Sequence, residues 1–215
     1  SGIVKSANRE SSLNYSIESG IPCPSNIGFE NGNFSNWQCF TGSTNSPQSL
    51  SIFCPNNQNT ISLSPSSPNS SQHRILTSSS ALDFYGHFPL TSPNGSSKFI
   101  QLGNTGTGSD AEGLRYQILI PPGANNYSIT YQYAVVFEDP GHQPCQQPRF
   151  KARIWDPQTN AYISCSQHEY VSTSTLPGFT QSSVDPDVIY KPWSSAFINL
   201  SGYAGRPRYL EFVNA

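Results

Sequence analysis

The chain has 215 residues, with 11 Lys and Arg against 13 Asp and Glu, a formal net charge of −2 and only 11% charged residues. That length suits one large domain with a sizeable core, and charge so sparse and dispersed excludes an electrostatic footprint for nucleic acid or for an anionic membrane surface. No apolar run nears the roughly 20 residues that a bilayer requires, the opening SGIVKSANRE lacks the apolar region of a signal peptide, and the absence of any Met marks a mature or excised piece of polypeptide.

In chain order, residues 1–22 show little periodicity and read as a lead-in segment, with the domain proper over 23–215. FENGNFSNW, from Phe29 to Trp37, then sets Glu30, Asn31 and Asn33 between the apolar anchors Phe29, Phe34 and Trp37. Two readings are open: oxygen-bearing side chains offered to a hard cation such as calcium, or an ordinary Gly-Asn turn leading into a strand. Strands are expected near Leu50–Phe53, Arg74–Thr77 and Phe99–Leu102, and the Ser-rich stretch 62–80 reads as a surface loop around an edge strand. GLRYQILI places Leu114, Tyr116, Ile118 and Ile120 on one face. From Tyr127 to Phe137 the odd positions are apolar or aromatic, the period of a long strand with one buried face. RFKARIWD sets Phe150, Ala152 and Ile154 against Lys151, Arg153 and Trp155, and further strands fall near Ala161–Cys165, Ala196–Leu200 and Tyr209–Val213. Pro-Pro-Gly, Pro-Gly and Asn-Gly punctuate the connections. The expected fold class is all-β, a two-sheet antiparallel sandwich whose long connections suit a jelly roll.

The five cysteines, Cys23, Cys39, Cys54, Cys145 and Cys165, contain no Cys-x-x-Cys pair and fit structural disulfides, hence export. Cys145 and Cys165 flank one hairpin and are the first expected pair. Two of the other three are expected to bridge, which leaves one thiol over. FEDPGHQPCQQPRF, after the longest strand, crowds Glu138, Asp139, His142, Gln147 and Arg149 into one turn. These are ligand-contact types on a loop, and the competing reading makes Asp139 a turn cap and Arg149 a partner of Glu138. Trp155, on the polar phase of its strand, and Trp193 in YKPW are candidates to stack on a sugar ring, or core-edge aromatics with a wet polar tip. The cluster Asp83, Tyr85 and His87 has no placement derivable from sequence.

Nothing here reads as an enzyme. Gly-x-Ser-x-Gly, His-Glu-x-x-His and phosphate-binding glycine loops are absent, and the four His lack metal-ligand spacing. Carboxylate pairs such as Asp110 with Glu112, or Asp185 with Asp187, lie where turn caps belong.

Taken in order, GFENGNFSNW, LDFYGHFPL, KFIQLGN, AEGLRY, the long run YQYAVVFEDPGHQPCQQPRFKARIWD, IYKPW and INLSGYAGRPRYLEF resemble the large jelly-roll module of Bacteroidota surface proteins. Those proteins carry PKD repeats and gliding-motility-type or type IX secretion C-terminal signals, and the resemblance covers about Cys23 to Ala215. More distantly the chain is similar to MAM and carbohydrate-binding jelly rolls. The resemblance implies secretion to the cell surface and an adhesin-like, non-catalytic role. It also implies a structural calcium ion at Glu30 and Asn33, with backbone carbonyls near Gly28 and Gly32, and one further strand beyond Ala215, supplied by the remainder of the polypeptide. The expected function is therefore an adhesin-type domain binding a glycan or protein ligand on a surface through Asp139, His142, Gln147, Arg149 and Trp155. A structural tip or stalk module, and an accessory domain holding an enzyme on polysaccharide, are the alternatives.

Overall fold

The computed structural model describes residues 2–9, 24–45, 60–106, 108–139, 141, 146–173 and 176–215, with side chains for all of these but 2–9, 45 and 60. Two antiparallel sheets face each other. The first runs β4 (His73–Thr77), β5 (Lys98–Leu102), β1 (Gly2–Arg9), β7 (Ser128–Glu138), β12 (Val188–Asn199), β11 (Thr180–Gln181). The second runs β3 (Thr60–Ser66), β2 (Trp37–Asn45), β6 (Asp110–Leu119), β13 (Pro207–Asn214), β8 (Arg149–Asp156), β10 (His168–Val171), with β9 (Ala161–Tyr162) also on β8. From β5 to β8 each successive strand changes sheet, and β12 to β13 does so again, the crossing pattern of a jelly-roll sandwich. The expected all-β sandwich is thus what the chain forms.

Period-two patterning explains the core. Ile129, Tyr131, Tyr133, Val135 and Phe137 of β7 meet Leu114, Tyr116 and Ile118 of β6, Phe150, Ala152 and Ile154 of β8, and Leu210 and Phe212 of β13. Aromatic rings pack within and between the layers: Phe29 stacks on Trp37 at 4.7 Å and Trp37 meets Tyr116 edge-on at 5.0 Å on the second sheet, while Tyr131 of the first sheet meets Phe212 of the second at 5.2 Å. Burying each such side chain contributes about 1.5–3 kcal/mol. At the β4 edge His73 crosses between sheets, its Nε2 3.2 Å from the Gly113 carbonyl and its Nδ1 accepting from the Asn69 amide. Burial pushes the His73 ring below its ordinary pKa, so the neutral form, with Nε2–H donating, fits both contacts.

On β7 strict alternation fails, and the failure is informative. Ala134 and Val136, on the outward phase of β7, are buried as well. They pack with Phe88, Val188, Tyr85, Leu90, Tyr190 and Trp193 in a second apolar layer. The segment 81–92, LDFYGHFPL and its neighbours, lies over the outer face of the first sheet. Asp83 Oδ1 accepts from the amides of Tyr85 and Gly86, and Trp193 Nε1 donates to the Pro89 carbonyl at 2.8 Å. A Cβ on Gly86 would lie 2.6 Å from the Phe88 ring, so glycine is needed for this close approach.

Other expectations shift. Residues 2–9, read as lead-in, form β1 between β5 and β7. The open backbone edges of its two neighbours fix that strand, and such pairing demands no apolar period of its own. The Ser-rich stretch holds most of one edge strand, β3, and all of another, β4. The strand expected over Ala161–Cys165 stops at Tyr162 and gives way to a 3-10 turn, Ser164–Ser166, on which Cys165 is exposed with a free thiol. Its expected partner Cys145 lies outside the described residues, as do Cys23, Cys54 and the strand expected near Leu50–Phe53. Cys39 is free and buried.

Glu112 faces the core from β6 and accepts from Asn214 Nδ2 across the β6–β13 pair. Burial pushes its carboxyl up to about 8. The folded protein therefore keeps a proton that the unfolded chain releases near its ordinary pKa of 4.5. Stability should fall as pH rises from about 4.5 towards 8 and level off above that. Glu112→Gln keeps the acceptor and removes the titration. Thermal melts across this range should show the variant gaining on the wild type with rising pH, and parallel curves would contradict the assignment.

Candidate functional site

The outer face of the second sheet has no counterpart to the 81–92 cover among the described residues. Register carries its outward side chains into three rows that cross the strands. One row is Gln117, Tyr209, Trp155, Tyr162. The next is Gln38, Arg115, Glu211, Arg153. The third is Phe40, Gly113, Val213, Lys151, Glu169. Neighbouring strands lie about 4.8 Å apart, so the first row spans about 14 Å from β6 to β9 and its three aromatics about 10 Å from β13 to β9.

The middle row is built around one carboxylate. Glu211 is 4% exposed although it points away from the core. Its Oε2 accepts from Arg115 Nε at 3.1 Å and Nη2 at 2.6 Å. Its Oε1 accepts from Arg153 Nε at 2.6 Å and Tyr162 OH at 2.9 Å, with Arg153 Nη2 at 2.6 Å. Burial alone would push this carboxyl up. Arg153, Arg115 and Tyr162 outweigh it and hold the group below its ordinary pKa. Burial, with Glu211 adding to it, pushes Tyr162 up to about 12, so the phenol stays a donor. The guanidiniums are held flat by rings: Arg153 lies 3.8 Å over Tyr162, and Arg115 lies 5.0 Å from the Phe40 centroid and 5.7 Å from that of Tyr209. Trp155 meets Tyr162 edge-on at 4.8 Å. Flat rings, fixed donors and one fixed anion make a preorganised polar and aromatic surface.

The residues proposed from sequence as ligand contacts do not form one cluster. Trp155 sits in the aromatic row. Arg149 lies at the other end of β8, about 20 Å along the strand, buried, with Nη1 3.6 Å from Glu169 rather than paired to Glu138. Asp139 takes the turn-cap role: its Oδ1 accepts from the Gly141 amide and its Oδ2 from Ser172 Oγ. Gln147 is buried, and His142 lies outside the described residues. Trp193 belongs to the covered face. Tyr209, Tyr162, Arg115, Arg153 and Glu211 were not singled out from sequence. The signal of Arg115, Arg153, Tyr209 and Glu211 lies in the polar phases of GLRYQILI, RFKARIWD and YLEF, which only cross-strand register unites, and Tyr162 joins them from the two-residue strand β9.

The turn proposed to hold calcium is organised by Asn26. Its Nδ2 lies 3.0 Å from the Asn33 carbonyl, 2.8 Å from the Ser35 carbonyl and 3.1 Å from Ser35 Oγ, while its Oδ1 accepts from the Asn31 amide. Glu30 folds back on the Gly28 amide, Asn33 Oδ1 accepts from the Ser35 amide, and Gly32 turns the chain at φ +66°. Where oxygens converge, the centre is already held by a nitrogen donor, and Glu30 is directed elsewhere. As folded, these residues do not fit a cation coordinated by Glu30 and Asn33. Asn26→Ala should cost about 2 kcal/mol by stranding buried partners, a fall in Tm on the order of 5 °C. The wild-type Tm should be the same in calcium and in excess chelator, and a chelator-dependent fall would return the ion to this turn.

No family model matches the chain, and no curated protein matches it. Among solved structures, the enzymatically active domain of tailspike protein 4 from bacteriophage CBA120 is similar with a TM-score of 0.43 at 10% identity, over 89% of this chain and 19% of that one. The chain thus spans about a fifth of that structure, and a likeness of this extent carries no argument about fold or function.

Proposed function

We propose that this chain is a non-catalytic, adhesin-type binding domain of a secreted surface protein, which holds a glycan on the outer face of its second sheet. The observation that carries this reading is the row Tyr209, Trp155, Tyr162 lying beside the Arg115, Glu211, Arg153 row. Sugar rings combine apolar C–H faces with hydroxyls, so they match ring platforms flanked by fixed donors and acceptors. Holding rather than hydrolysing is favoured by the state of Glu211. Glycoside hydrolysis needs a carboxyl that stays protonated to act as an acid, whereas two guanidiniums keep Glu211 ionised. The same face would serve an accessory domain that retains an enzyme on polysaccharide.

A glycan array probed with the folded chain tests the reading. Saturable binding is expected, weakened roughly tenfold or more by Trp155→Ala and unaffected by Asp139→Ala beyond its effect on stability. Binding that survives Trp155→Ala but is lost in Asp139→Ala would move the site to the end of β7.

A further inference from the structure

Resting on that glycan reading, we propose that the ligand is an acidic polysaccharide, a chain of carboxylate-bearing sugars laid across the strands, with Arg115 and Arg153 reading the carboxylates. Charge complementarity on this face carries the inference. Its outward positions hold four cations, Arg115, Arg149, Lys151 and Arg153, against two carboxylates, Glu169 and Glu211, an excess of two positive charges in a chain whose net charge is −2. Glu169 is shared between Lys151 at 3.1 Å and Arg149 at 3.6 Å, and Glu211 is shared between Arg115 and Arg153. Each carboxylate thus meets two cations, and each pair keeps one positive charge uncompensated.

The guanidinium geometry adds direction to that charge. Both arginines spend Nε and Nη2 on Glu211. Among the described residues Nη1 of each meets no acceptor and is open to an incoming anion, and the two side chains are 31% and 22% exposed. Fixed by Glu211 beneath and by aromatic rings at their faces, they lose little further entropy on binding. They stand on strands separated by β13, about 10 Å apart, and the aromatic row lies about 7 Å away along the strands. A polysaccharide running along Tyr209, Trp155 and Tyr162 would stack its rings there and direct substituents on one edge towards Arg115 and Arg153. Neutral sugars would leave the open guanidinium donors to water.

The test compares polygalacturonate with the same polymer after carboxyl reduction, which removes only the charge. The full chain should bind the acid polymer at least tenfold more tightly, a difference of about 1.4 kcal/mol, and the preference should shrink as NaCl rises from about 50 to 500 mM. Arg115→Gln should weaken the acid polymer several-fold more than it weakens the reduced polymer, so that the preference shrinks in a chain whose melt shows it folded, and Arg115→Lys should restore part of it. Equal binding of the two polymers would overturn the acidic class and leave the glycan reading standing. Binding of neither, by a chain whose melt shows it folded, would overturn the glycan reading itself. Equal affinity for single-stranded poly-dT would reduce the effect to ion exchange and also overturn the proposal.

Discussion

Glu211 is the group on which the exposed face depends. A carboxylate with almost no access to water is costly unless donors surround it, and here two forked guanidiniums and a phenol do so. Those partners come from β6, β8 and β9, so one residue of β13 ties four strands together on their outer side. The arginines in turn are held against Phe40, Tyr209 and Tyr162. Electrostatics and aromatic packing therefore impose the same geometry, and a surface of long flexible side chains becomes a fixed one.

The sandwich treats its two outer faces differently. On the first sheet the 81–92 segment lays Phe88 and Leu90 over Ala134, Val136 and Val188, and Trp193 is tied down through Pro89. That arrangement makes β7 apolar on both sides, so its outward positions are spent on packing. On the second sheet the outward positions of β6, β8 and β13 carry Arg, Glu, Tyr and Trp, which are poor core residues and good contact residues. The proposed recognition thus rests on the face that nothing else in the described structure covers.

In two polar-rich stretches the described side chains bond chiefly to the protein itself. In NIGFENGNFSNW the oxygens meet backbone amides and the Asn26 side chain, so the turn is self-satisfied and directs Phe29 onto Trp37. In FEDPG, Asp139 secures the end of β7 to the Gly141 amide and to Ser172. Short polar side chains at turns bond first to the nearest backbone groups because that contact costs the least chain entropy. Of the described residues marked as ligand contacts, Trp155 alone reaches the aromatic row, and its polar phase is visible in RFKARIWD.

What the sequence determined by itself was the class of fold and the inward half of each long strand. Alternation in GLRYQILI, in 127–137 and in RFKARIWD reports burial directly, because successive strand residues face opposite ways. The partners were decided by tertiary structure alone. Arg115, Arg153 and Glu211 lie 38 to 96 residues apart in the chain and become neighbours only when β13 inserts between β6 and β8. The same holds for the strand formed by residues 2–9 and for the cover over the first sheet, where open backbone edges and a facing apolar layer decided the outcome. Local patterning reports which way a side chain points, whereas register and strand order, which create a site, are properties of the whole packed chain.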